Sequence, residues 1–399
     1  MRTDTDGSSQ GATASVAIAR AWLDDQGPAI LQEQIELAAI ASPPFKERAR
    51  GEAVAAKLKS LSAEPRFDEV GNLLAGFPRG ATAKDDPPVV IAAHLDTVFG
   101  PETRVEIQAA GHRWVGPGIT DNARGLAVTL AVIRALFRCA AEPRRPLLFV
   151  FTVGEEGPGD LRGVKHLFRP GSTLRSAAAF LAVDGSGLNR IIHRALGSRR
   201  FRITVEGAGG HSWSDWGRCN PANAVGRLIA ALADLPLPED PRTTLTVARV
   251  GGGTAINAIP TDIWVEIDLR SEDAAAIDRI ESRIRELLAA GIAAEGSRSS
   301  GSLSAEVEII GERPAGVVPP THPLVRAAEA ATRAAGASPA LVSSSTDANV
   351  PISLGIPAIA VGGGGRSGDM HTEHEWFEDS DGATGAVRLL DILIAVAEL

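Results

Sequence analysis

Val89-Val90-Ile91-Ala92-Ala93-His94-Leu95-Asp96 decides how this chain is to be read. Five apolar residues in a row are too few for a helix and read as a strand buried on both faces. A histidine and an aspartate stand where that strand must end. Working outward, residues 147–151, 178–183 and 356–361 are further short apolar runs of the same kind. Helical periodicity fills 126–136 and 323–335, and most of 14–61 apart from a break at Pro43-Pro44. Proline removes a backbone donor and disfavours helix in the residue before it. Buried strands alternating with helices predict an α/β sheet covered on both faces.

The patterning changes near Gly197. Residues 201–205, 244–250, 263–269 and 305–310 alternate polar and apolar, as half-exposed strands do, and 222–235 and 271–290 are helical. Strand, helix, strand, strand, helix, strand is the ferredoxin-like order. An α+β domain over 197–311 is therefore expected to interrupt an α/β domain made of 13–196 and 312–399. Residues 1–12 are polar and are expected to form a loose tail.

The chain has 399 residues, 44% hydrophobic and 22% charged, within the range of globular proteins and long enough for two cores. A formal net charge of −9 gives a nucleic-acid partner no electrostatic support. No apolar run is long enough to span a bilayer, and the polar start lacks a signal-peptide core, so no membrane association and a cytoplasmic location are expected. Cys139 and Cys219 lie at no zinc-finger spacing.

The chemistry-bearing residues cluster after the buried strands, where open α/β sheets carry their ligand sites. His94 and Asp96 follow the first strand, Glu155 and Glu156 the second, and Asp184 the third. Asp121 precedes a helix, and His371 comes after the last strand and a glycine run. Each alone is ordinary: an Asp after a strand is often a helix cap, and a Glu pair is usually solvated. Together, imidazoles and carboxylates at strand ends make a donor set for two metal ions, Zn²⁺ above all.

Four motifs carry a resemblance over nearly the whole length. They are His94-Leu95-Asp96-Thr97-Val98, residues 116–125 around Asp121, Glu155-Glu156-Gly157, and His371-Thr372-Glu373-His374-Glu375-Trp376. In these the chain resembles the di-zinc aminoacylase and peptidase family that includes peptidase T, glutamate carboxypeptidase and succinyl-diaminopimelate desuccinylase. The resemblance implies a metallopeptidase-type α/β/α catalytic domain with the inserted ferredoxin-like domain as lid and homodimer contact. It implies two Zn²⁺ per chain, with Co²⁺ or Mn²⁺ as alternatives. His94 and Asp184 would hold one ion, Glu156 and His371 the other, and Asp121 would bridge them. Glu155 would be the general base, and Asp96 would accept a hydrogen bond from the His94 ring. His211, in Gly209-Gly210-His211-Ser212, would stabilise the oxyanion, often in the partner subunit. Asn257 and Arg270 would bind substrate. The family pattern also selects His371 over His374, together with Glu375, and it often has a cis peptide after the bridging aspartate. An aspartate at 184 goes with aminopeptidases and dipeptidases, which favours a peptidase T-like enzyme acting on small peptides. The alternatives are a deacylase of N-acyl amino acids and a binding protein that keeps the fold without catalysis.

Overall fold

The computed structural model describes residues 6–61, 63–78, 87–139 and 143–399. The chain divides into two compact units, Met1–Ala195 with Val317–Leu399, and Leu196–Gly316. The second unit ends at Gly316, shortly after its last strand, Ser304–Arg313. Where a loose tail is expected over 1–12, the chain is helical from Asp6 to Asp24, and residues 1–5 lie outside the described residues.

The first unit is built on a mixed sheet. Its centre is four parallel strands in the order Leu147–Thr152, Val89–His94, Ala179–Val183, Ala358–Val361. Every residue of Val89–His94, Ala179–Val183 and Ala358–Val361 is buried, which requires cover on both faces and explains the unbroken apolar runs. Antiparallel strands flank this centre: Leu73–Phe77 beside Leu147–Thr152, and Arg190–Ala195 beside Ala358–Val361. The helix Ala123–Arg138 is buried along most of its length and packs on the Val89–His94 and Ala179–Val183 strands. Its first turn is capped by Asn122, whose side-chain oxygen accepts the Gly125 N–H at 3.1 Å.

Parallel strands all point the same way, so His94, the 153–156 loop and Asp184 emerge on one edge of the sheet. A separate four-stranded sheet lies among Gln108–Ala110, Arg113–Val115, Arg366–Gly368 and Trp376–Glu378. It carries the Asp369–Glu375 loop between its last two strands.

The second unit has one four-stranded antiparallel sheet in the order Thr243–Gly252, Asp262–Ser271, Gly197–Glu206, Ser304–Arg313. Numbered along the chain this is 2-3-1-4, the ferredoxin-like topology. Phe201, Ile203 and Val205 alternate with less buried neighbours and meet Val265, Ile267 and Leu269 on one face. Leu228 from Pro221–Ala233 and Ile284 from Ala274–Gly296 close that face. Both helices start on side-chain caps, Asn220 to the Ala222 N–H and Asp273 to the Ala275 and Ala276 N–H groups. Cys139 and Cys219 are not joined in a disulfide. Among the described residues no helix is long and apolar enough to cross a membrane.

Candidate metal centre

Five side chains expected as ligands come together at the strand ends of the first unit. They form two groups, His94 with Asp121 and Asp184, and Asp121 with Glu156 and His371, whose donor atoms lie within 4.8 Å of one another. Asp121 belongs to both. A third group joins His94 to Glu155 and Glu156. His94 Nε2 stands 2.9 Å from Asp121 Oδ1 and 3.6 Å from Asp184 Oδ1. His371 Nε2 stands 3.2 Å from Asp121 Oδ2 and 3.4 Å from Glu156 Oε1.

Two atoms test whether this donor set fits metal ions. His94 Nε2 and Asp121 Oδ1 are fully buried and close, yet neither makes an aligned hydrogen bond. Proximity gives the pair electrostatic attraction, but their directions do not satisfy each other. Buried polar atoms left in this state need a ligand. Two imidazoles and three carboxylates are the oxygen and nitrogen donors that divalent zinc, cobalt or manganese accepts, so the residues fit.

The charges follow from the same crowding. Burial works against the His94 imidazolium, but the attraction of the nearby Asp121, Asp184 and Asp96 carboxylates outweighs it and holds its pKa well above the ordinary value. The His371 pKa is raised to about 10 by its contacts with Asp121 and Glu156. Asp121 is buried, which alone would raise its pKa; the two histidines reverse this and hold it below the usual carboxylate range. Burial pushes Glu156 upward. Without metal, protons on the imidazoles hold the carboxylates together, and cations would replace those protons.

The loops around the ligands are tied to one another. Asp96 is fully buried, and its two carboxylate oxygens accept the backbone N–H groups of Glu155 at 3.0 Å and Glu156 at 2.8 Å. The His94 ring Nδ1 lies 3.1 Å from the Asp96 main-chain oxygen and 3.7 Å from Oδ1, so the carbonyl is what the ring bonds to. The carboxylate is already committed to the second loop. Nδ1–H donating to that carbonyl leaves the Nε2 lone pair facing the other donors.

Asn122 and Arg50 were not singled out by sequence as organisers, and Glu375 was selected by its motif without a role. Asn122 Oδ1 also accepts the Gly185 N–H at 3.2 Å, and its Nδ2 donates to Val183 O at 2.8 Å, which joins Asp121 to the loop of Asp184. A Cβ at Gly125 would lie 2.4 Å from Val183 O, so this close approach requires glycine. The Asp121–Asn122 peptide is cis. Glu375 Oε1 accepts the N–H groups of Thr120 at 2.7 Å and Asp121 at 3.0 Å, and burial raises its pKa to about 7. Arg50 is fully buried and donates to Leu95 O at 3.0 Å and Ile40 O at 2.6 Å. The signals were weak: an Asn after an Asp, a glutamate within a motif, and an arginine on a helix whose other charges are solvated. Asp347 was missed altogether. It is buried, accepts from the Thr152 hydroxyl at 2.5 Å, and has its pKa raised by burial to about 6.

The remaining candidates belong to the second unit. His211 is exposed; its N–H donates to Asp215 Oδ2 at 2.7 Å, and its ring Nδ1 accepts the Trp213 N–H at 3.2 Å. A short ribbon pairs His211 with Ala258, and Ser212 N–H donates to Asn257 O at 3.0 Å, so His211 and Asn257 are neighbours. Arg270 is not. It lies near the far end of Asp262–Ser271, opposite Ser198, with its Nε on Asp268 at 2.7 Å. It lies eight residue steps along an extended strand from Asp262, roughly 26 Å at ~3.3 Å per residue.

Comparison with known proteins sets this geometry in context. A probable carboxypeptidase from Aspergillus terreus is 30% identical over 213 residues, 49% of this chain and 46% of that protein. The chain thus spans about half the length of the curated relatives it matches. The aminopeptidase PepT from Bacillus cereus has a solved structure that superposes with a TM-score of 0.74 at 23% identity, covering 92% of this chain and 98% of that one. The Bacillus subtilis YXEP protein, a dinuclear metal binding peptidase from M20 family, gives a TM-score of 0.69 at 16% identity over 93% and 98%. At these identities the likeness is one of fold. The model of peptidase family M20/M25/M40 matches residues 90–395, a span that contains all five expected ligands, and the chain belongs to that family.

Proposed function

We propose that the chain is a two-metal hydrolase of amide bonds in small peptides, acting as a peptidase T-like aminopeptidase on di- and tripeptides. The observation that carries this reading is the double grouping around Asp121, with His94 and Asp184 on one side and Glu156 and His371 on the other. These residues would hold the two ions, Asp121 serving both. When bound, a two-metal centre supplies positive charge to polarise the amide carbonyl and acidifies water.

Glu155 is assigned proton transfer, the role that the family resemblance implies for it. It is 4% exposed and groups with His94 and Glu156 but not with Asp121 or His371, which supports a place beside the ligands. It takes the proton of the attacking water and delivers it to the leaving amine, a contribution on the order of 10²–10⁴ in rate. His211 stabilises the oxyanion, and Asn257 and Arg270 contact the substrate ends. The roughly 26 Å between Asp262 and Arg270 along one strand supports a homodimer. His211 and Arg270 are too far apart within one unit to touch the same small peptide, so one of them serves the partner's site.

Asp184 in place of glutamate favours an aminopeptidase over a carboxypeptidase or deacylase. Metal-loaded protein should cleave free and C-amidated di- and tripeptides and spare N-acetylated ones. Cleavage of N-acylated amino acids in preference would make it a deacylase instead.

A further inference from the structure

Phe45 has a backbone φ of 70°, in the left-handed region that bulky residues rarely enter. Its side chain is 60% exposed. An isolated exposed aromatic calls for no explanation. Here, however, the backbone adopts a conformation that glycine would take at no steric cost, and the residue that adopts it presents a large apolar ring to water.

The loop is built to keep it there. The Phe45 N–H donates to Glu47 Oε1 at 2.9 Å, and the same oxygen accepts from Arg162 Nη2 at 2.9 Å. The Arg162 guanidinium lies 5.0 Å from the ring centroid and supports one face. Two hydrogen bonds run from this arrangement to the metal centre of the same unit. Thr97 N–H, next to Asp96, donates to Ser42 O at 3.0 Å, and Arg162 N–H donates to the oxygen of Gly154, next to Glu155, at 3.0 Å. These bonds tie the Phe45 loop and its supporting arginine to the strand ends that carry His94 and Glu155, and the ring, 60% exposed, keeps surface for a further contact.

We propose that Phe45 is a specificity-determining residue: its exposed ring receives an apolar or aromatic side chain of the peptide, so preferred substrates carry such a side chain beside the scissile amide. This rests on the hydrolase reading above and adds to it the substrate's chemical class.

The test is Phe45→Gly in the metal-loaded full chain, assayed on X-Gly and Gly-X dipeptides with X as Phe, Leu or Ala. Glycine removes the ring and relieves the backbone, so the melting temperature should stay level or rise. In one of the two series the ratio of kcat/KM for Phe over Ala should fall about tenfold, the scale of one lost aromatic contact. The Ala dipeptides should be cleaved as before, and Phe45→Trp should retain the preference. An unchanged Phe-to-Ala ratio in both series, with the unsubstituted enzyme active, would overturn the assignment and leave the hydrolase reading intact. No cleavage of any dipeptide by the metal-loaded unsubstituted chain would overturn both.

Discussion

Asp96 Oδ2 accepts the backbone N–H of Glu156 at 2.8 Å, so the end of one parallel strand fixes the loop that follows its neighbour. Because the other oxygen accepts from Glu155 at 3.0 Å, Asp96 sets the proposed base and a proposed ligand together. Asp96→Asn keeps the shape but replaces one acceptor with a donor. Metal affinity should fall about 10–100-fold, the usual size of an effect one bond removed from the metal. Titration of chelated protein with Zn²⁺ measures it, and unaltered affinity would reduce Asp96 to a loop residue.

Glu155→Gln separates proton transfer from ligation. The variant should retain both metals and lose turnover by roughly 10²-fold or more, with KM little changed. Glu156→Gln should instead lose metal. If Glu155→Gln sheds metal while the remaining sites turn over normally, the two glutamates have exchanged roles.

His371 makes a prediction about pH. Its pKa in the folded metal-free chain is raised to about 10, against about 6.5 for a free imidazole. A raised folded value means that the contact with Asp121 and Glu156 contributes its full stability below about 6.5. That contribution is lost as pH climbs through about 10. Metal binding demands the neutral ring, so near pH 7 it should release protons and tighten with rising pH. Calorimetric titrations in two buffers of different ionisation heat count the protons. An unfolding midpoint of chelated protein that rises between about pH 7 and 10 would contradict the assignment.

His211→Ala should lower turnover far more than substrate affinity, since its contact strengthens as the oxyanion develops. Mixed with Glu155→Gln chains it should regain activity. Random pairing makes half the dimers hybrids with one intact site each, or about a quarter of unsubstituted activity. Mixtures no better than their components would place His211 at its own chain's site or at none.

The residues that ended up together were largely readable, because the parallel strands are buried on both faces and carry unbroken apolar runs that end in the ligands. Val89–His94 is the plainest case. The ferredoxin-like unit was readable from alternation, since only one face of its sheet is covered. Leu73–Phe77, Arg190–Ala195 and Ala340–Ser344 were not anticipated. The first contains a glycine, the second carries a histidine and two arginines, and the third ends in serines, so none shows a clear period. The Asp96 geometry was out of reach for another reason. Sequence gives the acceptor, but which N–H it meets is fixed by the neighbouring strand's register. The separation of His211 from Arg270 likewise depends on strand direction, which spacing along the chain does not contain.

The central claim is a pair of metal ions on five ligands that share Asp121, and elemental analysis of the purified chain after mild dialysis tests it most directly. Two equivalents of Zn²⁺, Co²⁺ or Mn²⁺ per chain are expected. Asp184→Ala and His371→Ala should each leave about one, and Asp121→Ala should leave neither bound tightly, with activity following the count. Full peptidase activity in a chain containing no metal would contradict the account.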